Sequence, residues 1–144
     1  LDAIVRRAVR RFAGEFIGRK LKLCYEPLNV SCVTDEKWLL FVIEQILSNA
    51  LKYTRAGSIT IELEAPKTLV IRDTGIGVAP EDLPRIFEKG YTGYNGRGDQ
   101  KASGLGLYLC RTICKRLGHT ITASSVPDHG TAIRITLEQR QVRE

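Results

Sequence analysis

Val70-Ile71-Arg72-Asp73-Thr74-Gly75-Ile76-Gly77 is the stretch whose reading decides the fold. An apolar, β-branched run ends in one acid, and two glycines follow, one residue apart. Asp73 is therefore a carboxylate held by a stiff strand beside backbone that a ligand can approach, because glycine has no Cβ to block the way. Such a carboxylate can accept a hydrogen bond from an amino group, the exocyclic amine of adenine for example. The same letters also describe an ordinary Asp-Thr-Gly turn, so the surrounding chain has to choose.

On the N-terminal side of this stretch, Ser58 to Glu64 alternates as a strand, Pro66-Lys67 marks a turn, and Thr68 to Asp73 completes a hairpin. Before it, Thr34-Asp35-Glu36 reads as a helix start, a capping hydroxyl followed by acids. That helix runs to about Thr54 and buries Leu39, Val42, Ile43, Ile46 and Ala50 on one face. At ~100° per residue, Gln45, Asn49 and Lys52 line a neighbouring polar edge. Leu1 to about Gly18 has helical apolar spacing, Leu21 to Tyr25 alternates as a strand, and Asn29 to Val33 is read as a short second one.

On the C-terminal side, Leu83, Ile86 and Phe87 mark a short helical piece. Residues 89–103 are glycine-rich and polar, the composition of a binding lid or a disordered loop. Gly104-Leu105-Gly106 opens a helix that ends at Gly118. Two closing strands follow, His119 to Ser125 and Thr131 to Leu137. Helices segregate from hairpin-paired strands, which predicts an α+β, two-layer sandwich with helices on one face of a mixed, mostly antiparallel sheet.

The chain has 144 residues, 43% of them apolar, enough for one domain with a real core. No apolar run approaches the ~20 residues that cross a bilayer, and the missing initiator methionine suggests a piece of a longer protein. The net charge of +6 favours anionic partners. Arg6, Arg7, Arg10 and Arg11, with only Phe12 among them, read as a solvated helix face rather than a nucleic-acid surface. Four cysteines without a Cys-x-x-Cys pair read as free thiols in a reducing compartment.

Four features need one explanation: a polar helix edge ending in Asn49, the acid and glycine turn of Asp73 to Gly77, a basic lid, and a glycine-opened helix. A helix start presents free N–H groups and partial positive charge, which suit phosphate oxygens. The dinucleotide fingerprint lacks its third glycine, position 109 being leucine, and no Walker-type Gly-Lys-Ser/Thr occurs.

The segment from Glu44 to Tyr53, Glu-Gln-Ile-Leu-Ser-Asn-Ala-Leu-Lys-Tyr, resembles the asparagine box of sensor histidine kinases. Asp73 to Gly77 resembles their first glycine box, Ile86-Phe87-Glu88-Lys89 the phenylalanine box, Gly104-Leu105-Gly106-Leu107 the second glycine box, and Gly130-Thr131 the closing Gly-Thr. The order holds over nearly the whole chain. The resemblance is to the Bergerat ATP-binding fold shared by histidine kinases, gyrase, Hsp90 and MutL, and it implies a single domain over 1–144 with a flexible ATP lid at about 78–103. It implies that Asn49 holds Mg²⁺, that Lys52 lies near the phosphates and that Tyr53 lies near the nucleotide. Asp73 would read adenine, and Gly75 and Gly77 would admit it. Gly104, Leu105 and Gly106 would face the phosphates, and Thr131 would support the adenine pocket. Lys89, Arg97 or Lys101 would reach the γ-phosphate from the lid. Gln45 stands where hydrolysing relatives carry a water-orienting glutamate and many kinases an asparagine. Glutamine cannot serve as a carboxylate base, and Glu44 beside it remains an open catalytic alternative.

The resemblance thus implies a domain that binds Mg-ATP and donates the γ-phosphoryl group to a histidine on a separate dimerisation and phosphoacceptor domain, with a response regulator downstream and no nucleic acid bound directly. The alternatives are an ATP-hydrolysing clamp of the gyrase, Hsp90 or MutL type, or a nucleotide-binding module without phosphotransfer. Residues 87–97, Phe-Glu-Lys-Gly-Tyr-Thr-Gly-Tyr-Asn-Gly-Arg, resemble short-sensor kinases of Gram-positive bacteria that respond to envelope-active peptides. The parent would then be a membrane-anchored homodimer with this domain in the cytoplasm.

Overall fold

The computed structural model describes residues 1–29, 34–64, 67–89 and 106–137. Five strands form one sheet in the order β1-β2-β3-β5-β4, where β1 is Lys22–Tyr25, β2 Ser58–Glu64, β3 Thr68–Asp73, β4 Thr120–Val126 and β5 Gly130–Thr136. β1 and β2 run parallel, and every other pair is antiparallel. The architecture is the mixed, mostly antiparallel α+β sandwich expected, and both strands of the central hairpin have the predicted bounds.

Alternation builds the two sides of the sheet. Ile59, Ile61, Leu69, Ile71, Ile133 and Ile135 point into one apolar layer together with the helices. The helices are α1 (Asp2–Arg11), α2 (Ala13–Gly18), α3 (Glu36–Tyr53) and α4 (Gly106–Leu117). On the other side, Arg72 bridges Glu62 at 2.7 Å and Glu64 at 3.5 Å, and Arg134 meets Glu64 at 3.1 Å. These pairs lie over Val70, which is fully buried although its neighbours are charged, because long side-chain stems cover it.

Three local readings need correction. The first helix is not continuous to Gly18. It breaks at Phe12, whose N–H bonds to the Val9 carbonyl in a tightened turn before α2 begins. α2 then turns Phe16 inward, while Ile17 stays 77% exposed. The cap of α3 is Asp35 rather than Thr34: its carboxylate accepts from the N–H groups of Lys37 and Trp38. The Thr34 hydroxyl instead pairs with His119 Nε2 at 3.0 Å. That contact ties the start of α3 to the end of α4 and gives His119 a structural task. The strand read at Asn29 to Val33 falls on 30–33, outside the described residues, and Asn29 itself is in a left-handed turn.

α3 is the spine of the helical layer. α1 and α4 both pack on it, and α4 runs antiparallel to it, with Cys110 Sγ directed at the Val42 carbonyl. Cys110 and Cys114 are free and buried, and burial pushes the Cys114 thiol up to about 11. Both are inert packing thiols. Cys24 is also free, and Cys32 lies outside the described residues.

Candidate functional site

The centre of the site is Asp73, the last residue of β3. Its Oδ1 accepts the N–H of Gly75 at 2.8 Å and that of Thr131 at 3.2 Å. Both of these backbone donors fall on Oδ1. Burial raises the Asp73 pKa, and the two amides and the nearby Thr54 hydroxyl work against that shift. No charged side chain contributes to it. The result is an acceptor pinned by main-chain amides with one hydroxyl beside it.

The glycines of the turn make room for this arrangement. A side chain on Gly75 would run into the Tyr53 carbonyl and would begin 2.9 Å from Thr54 Oγ1. Gly130, at φ +99°, lies flat against the Asp73 carbonyl, and only glycine fits there. Gly77, at φ +75°, lies against the Val126 carbonyl. The turn is held on three sides. Ile76 donates to the Tyr53 carbonyl at 3.1 Å and accepts from Asp128 at 2.7 Å, while Val78 donates to Ser125 Oγ at 2.8 Å. Ser125 also bonds the Thr131 hydroxyl at 3.0 Å, which fixes that side chain beside the Asp73 carboxylate.

The exit of α3 supplies the second wall. Tyr53 and Thr54 meet the Gly75 turn, and Lys52 Nζ lies 5.5 Å from the Tyr53 ring centroid. One and two turns earlier stand Asn49 and Gln45, both half-buried. Gln45 Oε1 comes within 3.2 Å of where a side chain on Gly106 would begin, so the polar edge of α3 reaches the opening turn of α4. Lys89 Nζ lies 6.0 Å from the ring centroid of Tyr108, also in that first turn. From Gln45 to Tyr53 the helix rises about 12 Å. Thus α3 carries the Asp73 turn at one end of its polar edge, the α4 start at the other, and Asn49 between them.

Glu44 points elsewhere. It pairs with Arg11 of α1 at 3.1 Å, on a different side of α3 from Gln45. Gly104 and Leu105 lie outside the described residues, as do Arg97, Lys101 and the lid from residue 90 onward. The part of the expected lid that is described, 78–89, packs Val78, Leu83, Ile86 and Phe87 onto the core. A hollow of about 190 Å³ opens beside the turn, between Tyr53, Arg55, Thr74 and Asp128. It shares Tyr53, Gly75 and Ile76 with the turn, whereas neither Asp73 nor Asn49 lines it.

The residues fit a purine nucleotide on the chemistry of their polar atoms: a largely buried carboxylate pinned by two main-chain amides, with the fully buried Thr54 hydroxyl, which has no partner at full hydrogen-bond geometry, beside it. No cluster of three or more His, Cys, Asp or Glu residues suited to a metal occurs among the described residues. The donor available to a cation is the Asn49 amide oxygen, a hard ligand of the kind Mg²⁺ accepts when substrate phosphates complete its shell.

Four contributors escaped the sequence reading. Thr54 was read as the end of a helix, Ser125 as the end of a strand and Gly130 as half of the closing Gly-Thr rather than as the partner of Asp73, while Arg19, which bonds the α3 exit, was given no reading. Thr54 alone left a signal: it continues the apolar stripe four residues after Ala50, yet it carries a hydroxyl.

The model of the histidine kinase-, DNA gyrase B- and HSP90-like ATPase family matches residues 34–141. Among curated proteins, the chain is 35% identical over 141 residues to the sensor histidine kinase YxdK of Bacillus subtilis, covering 94% of this chain and 42% of that protein. It is 42% identical over 139 residues to the sensor protein BceS of Halalkalibacterium halodurans, with the same two shares. The chain therefore spans less than half the length of these relatives. Among solved structures, the histidine kinase AdeS of Acinetobacter baumannii aligns with TM-score 0.73 at 25% identity, over 96% of this chain and 65% of that one. The catalytic domain of histidine kinase ThkA aligns with TM-score 0.80 at 20% identity, over 94% and 91%. Full-length ShkA in complex with AMPPNP aligns with TM-score 0.78 at 21% identity, over 92% and 28%.

Proposed function

Because the chain belongs to the histidine kinase-, DNA gyrase B- and HSP90-like ATPase family, we propose that it binds Mg-ATP and, within a longer sensor kinase, donates the γ-phosphoryl group to a histidine on a separate dimerisation domain. The observation that carries this reading is the α3 edge. Its exit abuts the turn that holds Asp73, and its middle abuts the start of α4, so a base and its phosphates can lie along one helix.

Each residue then has a task. Asp73 accepts from the adenine amino group, Gly75 and Gly77 admit the ring, and Thr131 borders it. Asn49 offers its amide oxygen to Mg²⁺, and Lys52 and Lys89 neutralise phosphate charge. The first amides of α4 cap phosphate oxygens, the task that the motif resemblance assigns to Gly104, Leu105 and Gly106. Mg-ATP, when bound, supplies the phosphoryl group and the cation that spreads its charge. The protein contributes positioning and electrostatics.

Gln45 favours transfer over hydrolysis, since a neutral amide can orient a group but cannot take its proton. Glu44 is engaged by Arg11, which argues for a structural task there. The acceptor and its response regulator belong to other chain segments and other proteins. The wider parent is, on this reading, a membrane-anchored homodimer. Among the described residues no helix is long and apolar enough to cross a membrane.

The test is direct. The chain is mixed with Mg-ATP and a separately made acceptor-helix domain from the same parent, and acid-labile phosphohistidine is measured. Transfer to the acceptor with negligible phosphate release is expected. Steady phosphate release that falls on Gln45→Ala would point instead to a hydrolase.

A further inference from the structure

We infer that Thr54 is a positioning residue for purine recognition, its hydroxyl acting through Asp73. The inference rests on the adenine-site reading above and extends it to a residue outside the glycine and asparagine boxes quoted earlier. Thr54 closes α3 in an extended conformation, φ −113° and ψ 111°. Its main chain is fully occupied with architecture: the Thr54 carbonyl accepts from Arg19 at 3.2 Å, and the neighbouring Tyr53 carbonyl accepts from Ile76. A C-terminal helix cap needs donors for its carbonyls, and a threonine hydroxyl there is not required for that. The side chain nevertheless lies at 0% exposure, where valine would fill the same space without a polar atom.

The hydroxyl has no partner at full hydrogen-bond geometry; it is packed against Gly75, whose N–H pins Asp73 Oδ1, and it lies near enough to the Asp73 carboxylate to favour its charged form. A buried, unpaired hydroxyl costs the fold free energy. Native structures hold few such groups, and each calls for an explanation. The explanation here is that its partner is the Asp73 carboxylate and that the bond closes when a ligand draws that carboxylate into place. Oδ1 of Asp73 is pinned by two amides, so a donor beside the carboxylate steadies Oδ2 toward an incoming amino group. The cost is carried by the empty fold and recovered on binding.

That asymmetry gives an unusual signature. Thr54→Val removes the unpaired hydroxyl at nearly constant shape, so it should leave the melting temperature of the ligand-free chain unchanged or raised. ADP binding by calorimetry should nonetheless weaken about fivefold or more, the worth of one lost buried hydrogen bond. Magnesium pyrophosphate, which has no base, should bind the variant and the parent alike. Thr54→Ser should restore ADP affinity to within about twofold. Thr54→Ala removes the hydroxyl without a branched replacement, and it serves if the valine variant does not fold. ADP affinity unchanged in both hydroxyl-free variants would overturn the inference. So would a loss that tracks a lowered melting temperature and extends to pyrophosphate, because that pattern belongs to a packing residue. If the unmodified chain does not bind ADP, the adenine-site reading fails as well.

Discussion

On the proposed reading, Asp73 joins a folding cost to a binding function. In the ligand-free fold it is a largely buried carboxylate with its pKa raised above the ordinary 3.8, burial being the main cause. A raised carboxylate pKa means that the folded state holds its proton to higher pH than the unfolded state does. The stability Asp73 contributes is therefore present below the unfolded value and lost as pH rises through the folded value; at neutral pH the group is a net cost. Ligand binding has the opposite sign, because only the ionised form is a pure acceptor for an amino group. Nucleotide affinity should accordingly fall as pH drops through the raised pKa. Asp73→Asn keeps an oxygen for the amides of Gly75 and Thr131 but turns a donor toward the base. We expect the ligand-free melting temperature at neutral pH to hold or rise, ADP binding to weaken by about 1–3 kcal/mol, and the acidic dependence of binding in this range to flatten. Calorimetric titration across a pH series reads the affinity terms, and thermal melts read the stability term. A variant that binds ADP as tightly as the parent would remove Asp73 from base recognition.

At the scale of elements, α3 has to be aligned at both ends, and the fold does this with different devices. Asp35 caps the start. At the exit, Arg19 donates to the Leu51 carbonyl at 2.6 Å and the Thr54 carbonyl at 3.2 Å, supplying the donors that a helix C-terminus lacks. From the other side Ile76 bonds the Tyr53 carbonyl, so the last turn is clamped between α2 and the glycine turn. Arg19→Ala should cost about 1 kcal/mol of stability, little for two charge-assisted bonds because Arg19 is solvent-exposed. It should also weaken ADP binding severalfold, since Tyr53 and Thr54 lose one side of their clamp. Denaturant melts and calorimetry on the same sample separate the two effects, and a stability loss with unchanged ADP affinity would confine Arg19 to architecture.

Elements with local signals were legible in the sequence. β2 and β3 alternate and are bounded by turn residues, so their limits could be read directly. α3 announced itself by its apolar stripe, although its cap was assigned one residue early because Thr34 and Asp35 are both good capping types. The break at Phe12 was not legible, since the amphipathic pattern runs through it and the tightened Val9 turn leaves no compositional mark. The strand order and the parallel β1–β2 pair depend on partners far apart in the chain. The same holds for the packing of Gly130 on Asp73 and for the clamp from Arg19. A resemblance of motifs named the boxes, but what holds them together is long-range packing that no window of sequence contains.

For the whole molecule, the sheet is a platform with one ion-paired face and one apolar face, and the helical layer carries the cleft at the ends of β3 and α3. On the proposed reading, a ligand there touches both layers: Asp73 and Thr131 on strands, Asn49 and the α4 start on helices. It should therefore stabilise the fold as a unit. Binding to the folded state alone adds RT ln(1 + [L]/Kd), about 2.7 kcal/mol at a hundredfold excess over Kd. For a chain of this size that corresponds to a rise of roughly 5–11 °C in melting temperature. Mg-ADP at that excess should produce such a shift in the unmodified chain as a single transition. At the same concentration the shift should shrink for Asp73→Asn, through the base, and for Asn49→Ala, through the cation. The two losses differ in kind. Withdrawing Mg²⁺ should weaken the unmodified chain toward the Asn49→Ala level, whereas it should leave the Asp73→Asn deficit in place on top of its own effect. A shift of equal size in all three proteins, with and without the cation, would mean that the nucleotide binds somewhere other than between these two layers.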